Sequence, residues 1–351
     1  MKTRYIHIGF PKNFSTSLQR GYFDVHPQLL HLGIGCGSNV DYIDKRTSIY
    51  MENFLVYANP FAYRREKDRI IHHFNRWFEK VEEFKSKKAL GVSLEHLSFC
   101  FTGDNIDTVT KAERLHEIFG SESKIIMIIR NQWDLLRSLY RESIRMGYDG
   151  SYKDFLHYVW VMKDRNFFYD FSYDLVFRLY SDLFGLKNIL VLTHEKMRDT
   201  FGRLINQHQG IHIMDQLSDF LGCDRLQSEL GHFNESLDGR HLAAMRVLNR
   251  KYRHDLGNGQ YGRSANFHRL KHYLIEELGQ PDDDAYIYQD VIVKRRNIER
   301  AAETKNQYAS IDYEADVKTI DNIFGYYDLA NRDFEKISGI KLPEAYLTLR
   351  N

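Results

Sequence analysis

A chain of 351 residues with 43% hydrophobic, 28% charged and 14% aromatic residues can bury a substantial core. Its 23 Tyr and 23 Phe exclude a disordered or low-complexity protein. Lys plus Arg number 49 against 48 Asp plus Glu, so no basic field exists for whole-surface binding to nucleic acid, although a local cation cluster for one small anion is compatible.

Cys36, Cys100 and Cys223 are odd in number and far apart, which speaks against a disulfide framework and for a reducing compartment. The N-terminal residues run straight into a strand-like stretch with no signal-peptide pattern. No apolar run approaches the ~20 residues needed to cross a bilayer. The expectation is a soluble, cytoplasmic protein without a membrane span.

In chain order, residues 5–9 (YIHIG) form the first predicted strand and residues 28–33 a weaker one. An amphipathic helix follows over 67–84, then a strand at 89–93 (ALGVS) and a helix over 107–119 with Asp107 as its cap. The run KIIMII at 124–129 is unbroken and apolar, as a strand buried on both faces should be. A helix over 131–146 is closed by Gly147. Next come a helix at 173–184 and a strand at 188–193, then helices at 214–221, 241–252, 266–278 and 313–338. Strands alternating with helices predict an α/β protein with a parallel sheet covered on both faces and a helical C-terminal part. No repeat or Pro/Ser-rich linker divides the chain, so a single domain over 1–351 is expected.

Residues 6–19, IHIGFPKNFSTSLQ, carry the first chemical signal. A strand runs into Gly9 and Pro11, and Lys12 precedes the hydroxyls Ser15, Thr16 and Ser17, which open a helix at Leu18. Such a strand–loop–helix turns free backbone N–H groups and the positive end of a helix towards one spot, with Lys12 as a mobile charge. It is not a Walker A loop, which needs G-x-x-x-x-G-K-[ST]. An N-capped helix beside an exposed lysine explains these residues equally well.

The second signal is RNQWDLLRS, residues 130–138. Arg130 sits where the buried strand ends, the edge at which open α/β sheets bind ligands. Ser138 lies close to two helical turns after Asn131, on the same face. An arginine fork and a hydroxyl can clamp one phosphate. Taken alone, a surface arginine and an incidental serine fit this segment as well.

Together PKNFSTS and RNQWDLLRS resemble the nucleotide motifs of sulfotransferases that use 3′-phosphoadenosine 5′-phosphosulfate (PAPS). The stretches NILVLTHEKM, LSDFLG and YYDLANRDFEKISGIKL are similar to more distant family features. The resemblance implies the sulfotransferase fold, a P-loop-like parallel sheet, with a nucleotide-binding core over about residues 1–200 and a helical acceptor and C-terminal region beyond. It implies that Lys12, Asn13, Phe14, Ser15, Thr16, Ser17 and Leu18 hold the 5′-phosphosulfate and that Arg130 and Ser138 hold the 3′-phosphate. PAPS is the implied sulfuryl donor, 3′-phosphoadenosine 5′-phosphate (PAP) the product, and no metal is required. Phe14 stands where the family usually has glycine, and Gln132 where it has proline.

Sulfuryl transfer needs a base for the acceptor hydroxyl and cations for the developing negative charge. By resemblance Lys12 stabilises the leaving phosphate. The base comes from ALGVSLEH, where Glu95 is favoured by spacing and His96 is the alternative; His72 and His73 are further candidates that suit an exposed helix better. The basic, glycine-rich stretch 249–263 holds Arg250, Lys251, Arg253 and Arg263, any of which can close over a nucleotide in this family. The aromatic-rich segments 33–63 and 148–169 are the expected acceptor pocket, suited to a carbohydrate or glycolipid hydroxyl or to a small hydroxylated molecule.

Three competing readings stand beside this one. Gly33, Gly35 and Gly37 resemble the glycine turn of S-adenosylmethionine methyltransferases, although Pro27 shortens the preceding strand. His208 and His212 at i, i+4 lack the third ligand and helix of a metal site. A non-catalytic, nucleotide-binding sulfotransferase homologue is the third. Sequons at Asn13 and Asn234 add that a glycan on Asn13 would block the loop, and the missing membrane anchor suggests a soluble bacterial or phage-type member.

Overall fold

Five apolar runs form one parallel sheet: β1 Thr3–His7, β2 Leu29–Ile34, β3 Ala89–Ser93, β4 Lys124–Ile129 and β5 Ile189–Thr193, in the order β2-β3-β1-β4-β5. The computed structural model describes residues 2–34, 45–100, 106–197, 207–208, 211–226, 237–251, 279 and 289–347. The class is α/β, with helices on both faces of the sheet.

β4 shows why the unbroken apolar run is needed. Ile125, Met127 and Ile129 face the larger core, whereas Ile126 and Ile128 face a smaller one on the opposite side. Successive side chains point to opposite faces, so a strand covered on both must be apolar throughout. All five are fully buried, each contributing roughly 1.5–3 kcal/mol of transfer free energy. In β3, Gly91 gives space to its neighbour: a Cβ there would stand 2.2 Å from the Tyr5 carbonyl and 2.4 Å from its ring.

The chain enters the sheet at β1, crosses over β3 to the edge strand β2, returns to β3, and then crosses to β4 and β5 on the other side. The turns after β1 and β4 therefore emerge side by side where the winding direction reverses, the crevice in which open α/β sheets bind ligands. β1 and β4 are paired directly, Ile6 opposite Ile125 and His7 opposite Ile126.

Helix α1, Ser15–Leu18, opens at Ser15 and widens into π-helical turns over Gln19–Phe23, so the three hydroxyls lie inside its first turn. Beyond it lie α2 Lys45–Ile49, α3 Pro60–Glu83, α4 Thr108–Phe119, α5 Gln132–Arg145, α6 Tyr152–Val161 and α7 Tyr173–Phe184. The C-terminal part contributes α8 Ile213–Leu221, α9 Gly239–Lys251, α10 Gln289–Thr304 and α11 Val317–Ser338. α3 starts seven residues before the predicted 67, with Pro60 in its first turn and Asn59 accepting the Ala62 N–H. Phe61, 82% exposed, breaks the amphipathic pattern there. α6 was not predicted, because apolar residues surround it, although its Ser151/Asp154 capping box is a start signal. The predicted helix at 266–278 lies outside the described residues.

Of the aromatics of 148–169, Tyr152, Phe155, Phe167 and Phe168 are 0–2% exposed and belong to the main core, whereas Tyr158 and Tyr169 are exposed. No helix among the described residues is long and apolar enough to cross a membrane.

Candidate active site

Past β1 the backbone stays tied to β4 for one more residue, the Ile8 N–H donating to the Ile126 carbonyl at 3.1 Å. Phe10 then anchors the loop in the core against Tyr173, ring centroids 5.1 Å apart. Two contacts join the rest of the loop to the end of β4. Asn13 Nδ2 donates to the Ile128 carbonyl at 2.8 Å, and Arg130 Nη1 donates to the Lys12 carbonyl at 3.2 Å. The two segments singled out in the sequence thus meet at the switch point.

The bend requires left-handed backbone at Lys12 (φ 62°) and Phe14 (φ 61°). Each such non-glycine residue costs of order 1–2 kcal/mol, a strain that clusters at functional sites. Phe14 therefore keeps the glycine-like conformation of the position it occupies. Its ring is stacked on His194, centroids 4.6 Å apart, which offsets part of that cost.

Lys12 Nζ lies 3.3 Å from Glu142 Oε2 on α5, an oxygen that also holds Arg145 at 3.1 Å. The half-buried Ser138 precedes Glu142 by one helical turn and shares its face of α5. Asn131 does not share this role. Its side chain caps α5 by accepting the Asp134 N–H at 3.1 Å, and its Nδ2 donates to the Ala345 carbonyl. Leu18 is a correction as well: its side chain is fully buried and its N–H is spent on the Phe14 carbonyl, leaving nothing for a ligand. Ser15 and Ser17 are buried and Thr16 half-buried in the same turn.

Several polar atoms here are buried without a partner: Ser15 Oγ, Asn13 Oδ1 and Arg130 Nε. An unsatisfied buried polar group costs about 1–3 kcal/mol unless water or a ligand supplies its bond. An anion with several oxygens suits two donors, Ser15 and Arg130, beside the Lys12 ammonium.

Glu95 and His96 open a 3-10 turn past β3, yet they meet different neighbours. The half-buried Glu95 carboxyl is held above the usual carboxylate range by burial, with the Ser15 hydroxyl and the Lys12 ammonium pulling it down and Glu142 pushing it up. Glu95 is therefore grouped with the loop. His96 is stacked on Phe99 and faces Lys111; burial, then the Lys111 charge, lower it to about 4. Its Nδ1 is buried without a partner. Lys111 itself donates to the Phe99 carbonyl at 2.8 Å. Of the two candidates, Glu95 is the one brought to Lys12 and Ser15.

A polar latch braces the end of β4 from behind. Glu195 accepts the Asn131 N–H at 2.7 Å and the Tyr346 hydroxyl proton at 2.6 Å. Gln132 and Asn331 exchange hydrogen bonds at 2.7 and 3.1 Å, and Asn331 also donates to the Tyr346 carbonyl at 2.9 Å. Gln132, in the place of a proline, thereby ties α5 to α11. Tyr173 Oη donates to the Arg130 carbonyl at 2.5 Å.

Among the other candidates, Arg250 contacts Asp149 and its carbonyl, and His73 is buried in a pair with Thr47. Arg253, Arg263, Asn234, Gly35 and Gly37 lie outside the described residues. Gly33 lies in β2, at the sheet edge and away from the switch point, which disfavours the methyltransferase reading. His208 and His212 belong to a short antiparallel pair, Gln207–His208 with Ile211–His212. Glu195 ends a stretch that the sequence marks only by resemblance, and the sequence does not single out Glu142 or the group formed by His7, Gln19 and Ser93. A histidine in an otherwise apolar strand end was the signal for the last.

No family model matches this chain, and no curated protein matches it in sequence. Among solved structures, a sulfotransferase from Alicyclobacillus acidocaldarius is similar at 17% identity with a TM-score of 0.44, over 67% of this chain and 87% of that one.

Proposed function

We propose that the protein, acting as one domain, is a sulfotransferase that moves the sulfuryl group of PAPS to a hydroxyl of an acceptor of the carbohydrate or glycolipid class. The observation that carries this reading is the junction of the two nucleotide-type segments at the switch point: Arg130 donates to the Lys12 carbonyl, and Ser15 Oγ and Arg130 Nε stand buried and unpartnered beside it. PAPS supplies an activated sulfuryl group on a phosphate leaving group.

In this reading the backbone of residues 12–17, with the Lys12 ammonium and the Ser15 hydroxyl, holds the phosphosulfate end. Arg130 and the Ser138 face of α5 hold the 3′-phosphate. The Glu95 carboxylate takes the acceptor proton. Its enclosed position, which holds its proton more tightly than water would, makes it the stronger base. Lys12 balances charge on the leaving phosphate; in the ligand-free protein Glu142 holds it in place. The π-helical segment Tyr50–Val56 packs against the Glu95–Leu97 turn, which makes the half-buried Tyr50 and Phe54 the aromatic surface on offer for an acceptor.

Thermal unfolding tests the reading simply. PAP at saturating concentration should raise Tm, AMP should do so less, and S-adenosylhomocysteine not at all. A rise with S-adenosylhomocysteine alone would transfer the function to the glycine segment after β2.

A further inference from the structure

Beneath the phosphate-type loop lies a buried relay that the nucleotide motifs do not account for. His7, the last residue of β1, is 0% exposed. Its Nδ1 is 2.7 Å from Ser93 Oγ, the residue directly opposite on β3. Ser93 Oγ also receives a hydrogen bond from Gln19 Nε2 at 2.8 Å.

The chemistry of these three groups fixes the proton. An amide nitrogen only donates, so Gln19 occupies a lone pair of Ser93 Oγ and directs the serine proton to its other partner. That partner is His7 Nδ1, which must then be bare, and the neutral ring carries its hydrogen on Nε2. Burial pushes the imidazole down to about 3, so no second proton binds near neutrality. His7 Nε2–H is thus a donor held in one orientation, and it has no partner.

Its surroundings show where it is aimed. A Cβ built on Gly9 would stand 2.9 Å from His7 Nε2 and 2.9 Å from Ser15 Oγ. Both unpartnered atoms therefore look into the same space, left open because residue 9 is glycine. The Ser15 hydroxyl also acts on the Glu95 carboxyl, so Ser15 is the neighbour that His7 and Glu95 have in common.

We propose that His7 is a positioning residue of this site: its Nε2–H, fixed by Ser93 and Gln19, faces the space beside Gly9 that Ser15 Oγ also borders, and when an anion engages the Ser15 hydroxyl it donates to that oxygen and turns the serine proton outward, towards Glu95 and the anion. The consequence for ligand binding rests on the sulfotransferase reading; the arrangement itself does not. A bare Nε2 would accept the Ser15 proton and make a hydroxyl–base pair, whereas Nε2–H makes the serine a donor to the ligand.

Histidine-selective 15N NMR of the ligand-free protein tests the arrangement directly. The expected result is the Nε2–H tautomer for His7, unchanged from pH 8 to about 5. Ser15→Ala should move the His7 Nε2 signal, and Ser17→Ala should not. An Nδ1–H tautomer, or a signal indifferent to Ser15→Ala, would overturn the proposal whatever the protein binds. The second arm is PAP affinity. His7→Gln, which keeps an N–H donor, should hold it within about threefold, whereas His7→Phe should lose about tenfold or more. Equal losses in both, in folded variants, would reduce His7 to a packing role. Absence of PAP binding by the wild-type protein would refute the nucleotide reading and leave the tautomer result standing.

Discussion

Replacing His7 by glutamine should change how stability depends on pH, by an amount the structure fixes. The imidazole titrates near 6.5 in an unfolded chain but is lowered to about 3 by burial in the fold. Below pH 6.5 the unfolded state binds a proton that the folded state refuses, so stability falls as pH falls, by about 1.36 kcal/mol per unit for this one group. Between pH 7 and about 4.5 that amounts to roughly 2.7 kcal/mol, a large part of the 5–15 kcal/mol typical of a domain. The half-buried carboxyls of Glu95 and Glu195, held above their ordinary value by burial, act with the opposite sign, but they do so in both proteins and cancel in the comparison. Urea unfolding at a series of pH values measures the difference. Whatever His7→Gln costs at pH 7, the wild-type advantage should shrink by about 2.7 kcal/mol by about pH 4.5. Parallel stability curves for the two proteins would refute the claim that His7 is held neutral beneath the loop.

Glu95→Gln should raise Tm at pH 7 and leave it unchanged below the carboxylate range. The carboxyl is held above its ordinary value, so the folded state loses stability as this group ionises with rising pH; a variant less stable at pH 7 would contradict that. Glu142→Gln removes a like charge beside Glu95 and should lower the Glu95 titration midpoint in 13C NMR, whereas an upward shift would mean that freeing Lys12 matters more. Tyr346→Phe deletes a donor to the buried Glu195 carboxylate and should cost about 1.5–3 kcal/mol in urea unfolding. A change below about 0.5 kcal/mol would show that the C-terminal latch does not brace Asn131.

The parts of the fold legible in the sequence were those set by short-range pattern. KIIMII could only be a strand covered on both faces, and Asp107 marks a helix start as a cap does. The start of α3 and the whole of α6 are not legible, because an exposed Phe61 in the one and apolar residues around the other hide the helical period. In the site, Lys12, Ser15, Arg130 and Glu95 stood out because each lies at a strand end in a run of recognisable chemistry. What no local pattern carries is the pairing of distant strands. His7 opposite Ser93, and Glu195 joining Asn131 to Tyr346, exist only once β1 meets β3 and the C-terminal turn reaches the end of β4. Leu18 and Phe14 show the converse: a motif assigns positions, but burial decides which side chains face a ligand and which only shape the backbone.

The central claim is that the junction of Lys12 with Arg130 is a site for a nucleoside bisphosphate. Calorimetric titration with PAP, for the wild-type protein and for Arg130→Ala, tests it most directly, with AMP and S-adenosylhomocysteine as controls. Loss of a charged donor to the 3′-phosphate should weaken PAP binding by about 1.5–3 kcal/mol, roughly ten- to a hundredfold, and leave AMP, which lacks that phosphate, unaffected. A wild-type protein that binds AMP as well as PAP, or an Arg130→Ala variant that binds PAP unchanged, would contradict the assignment.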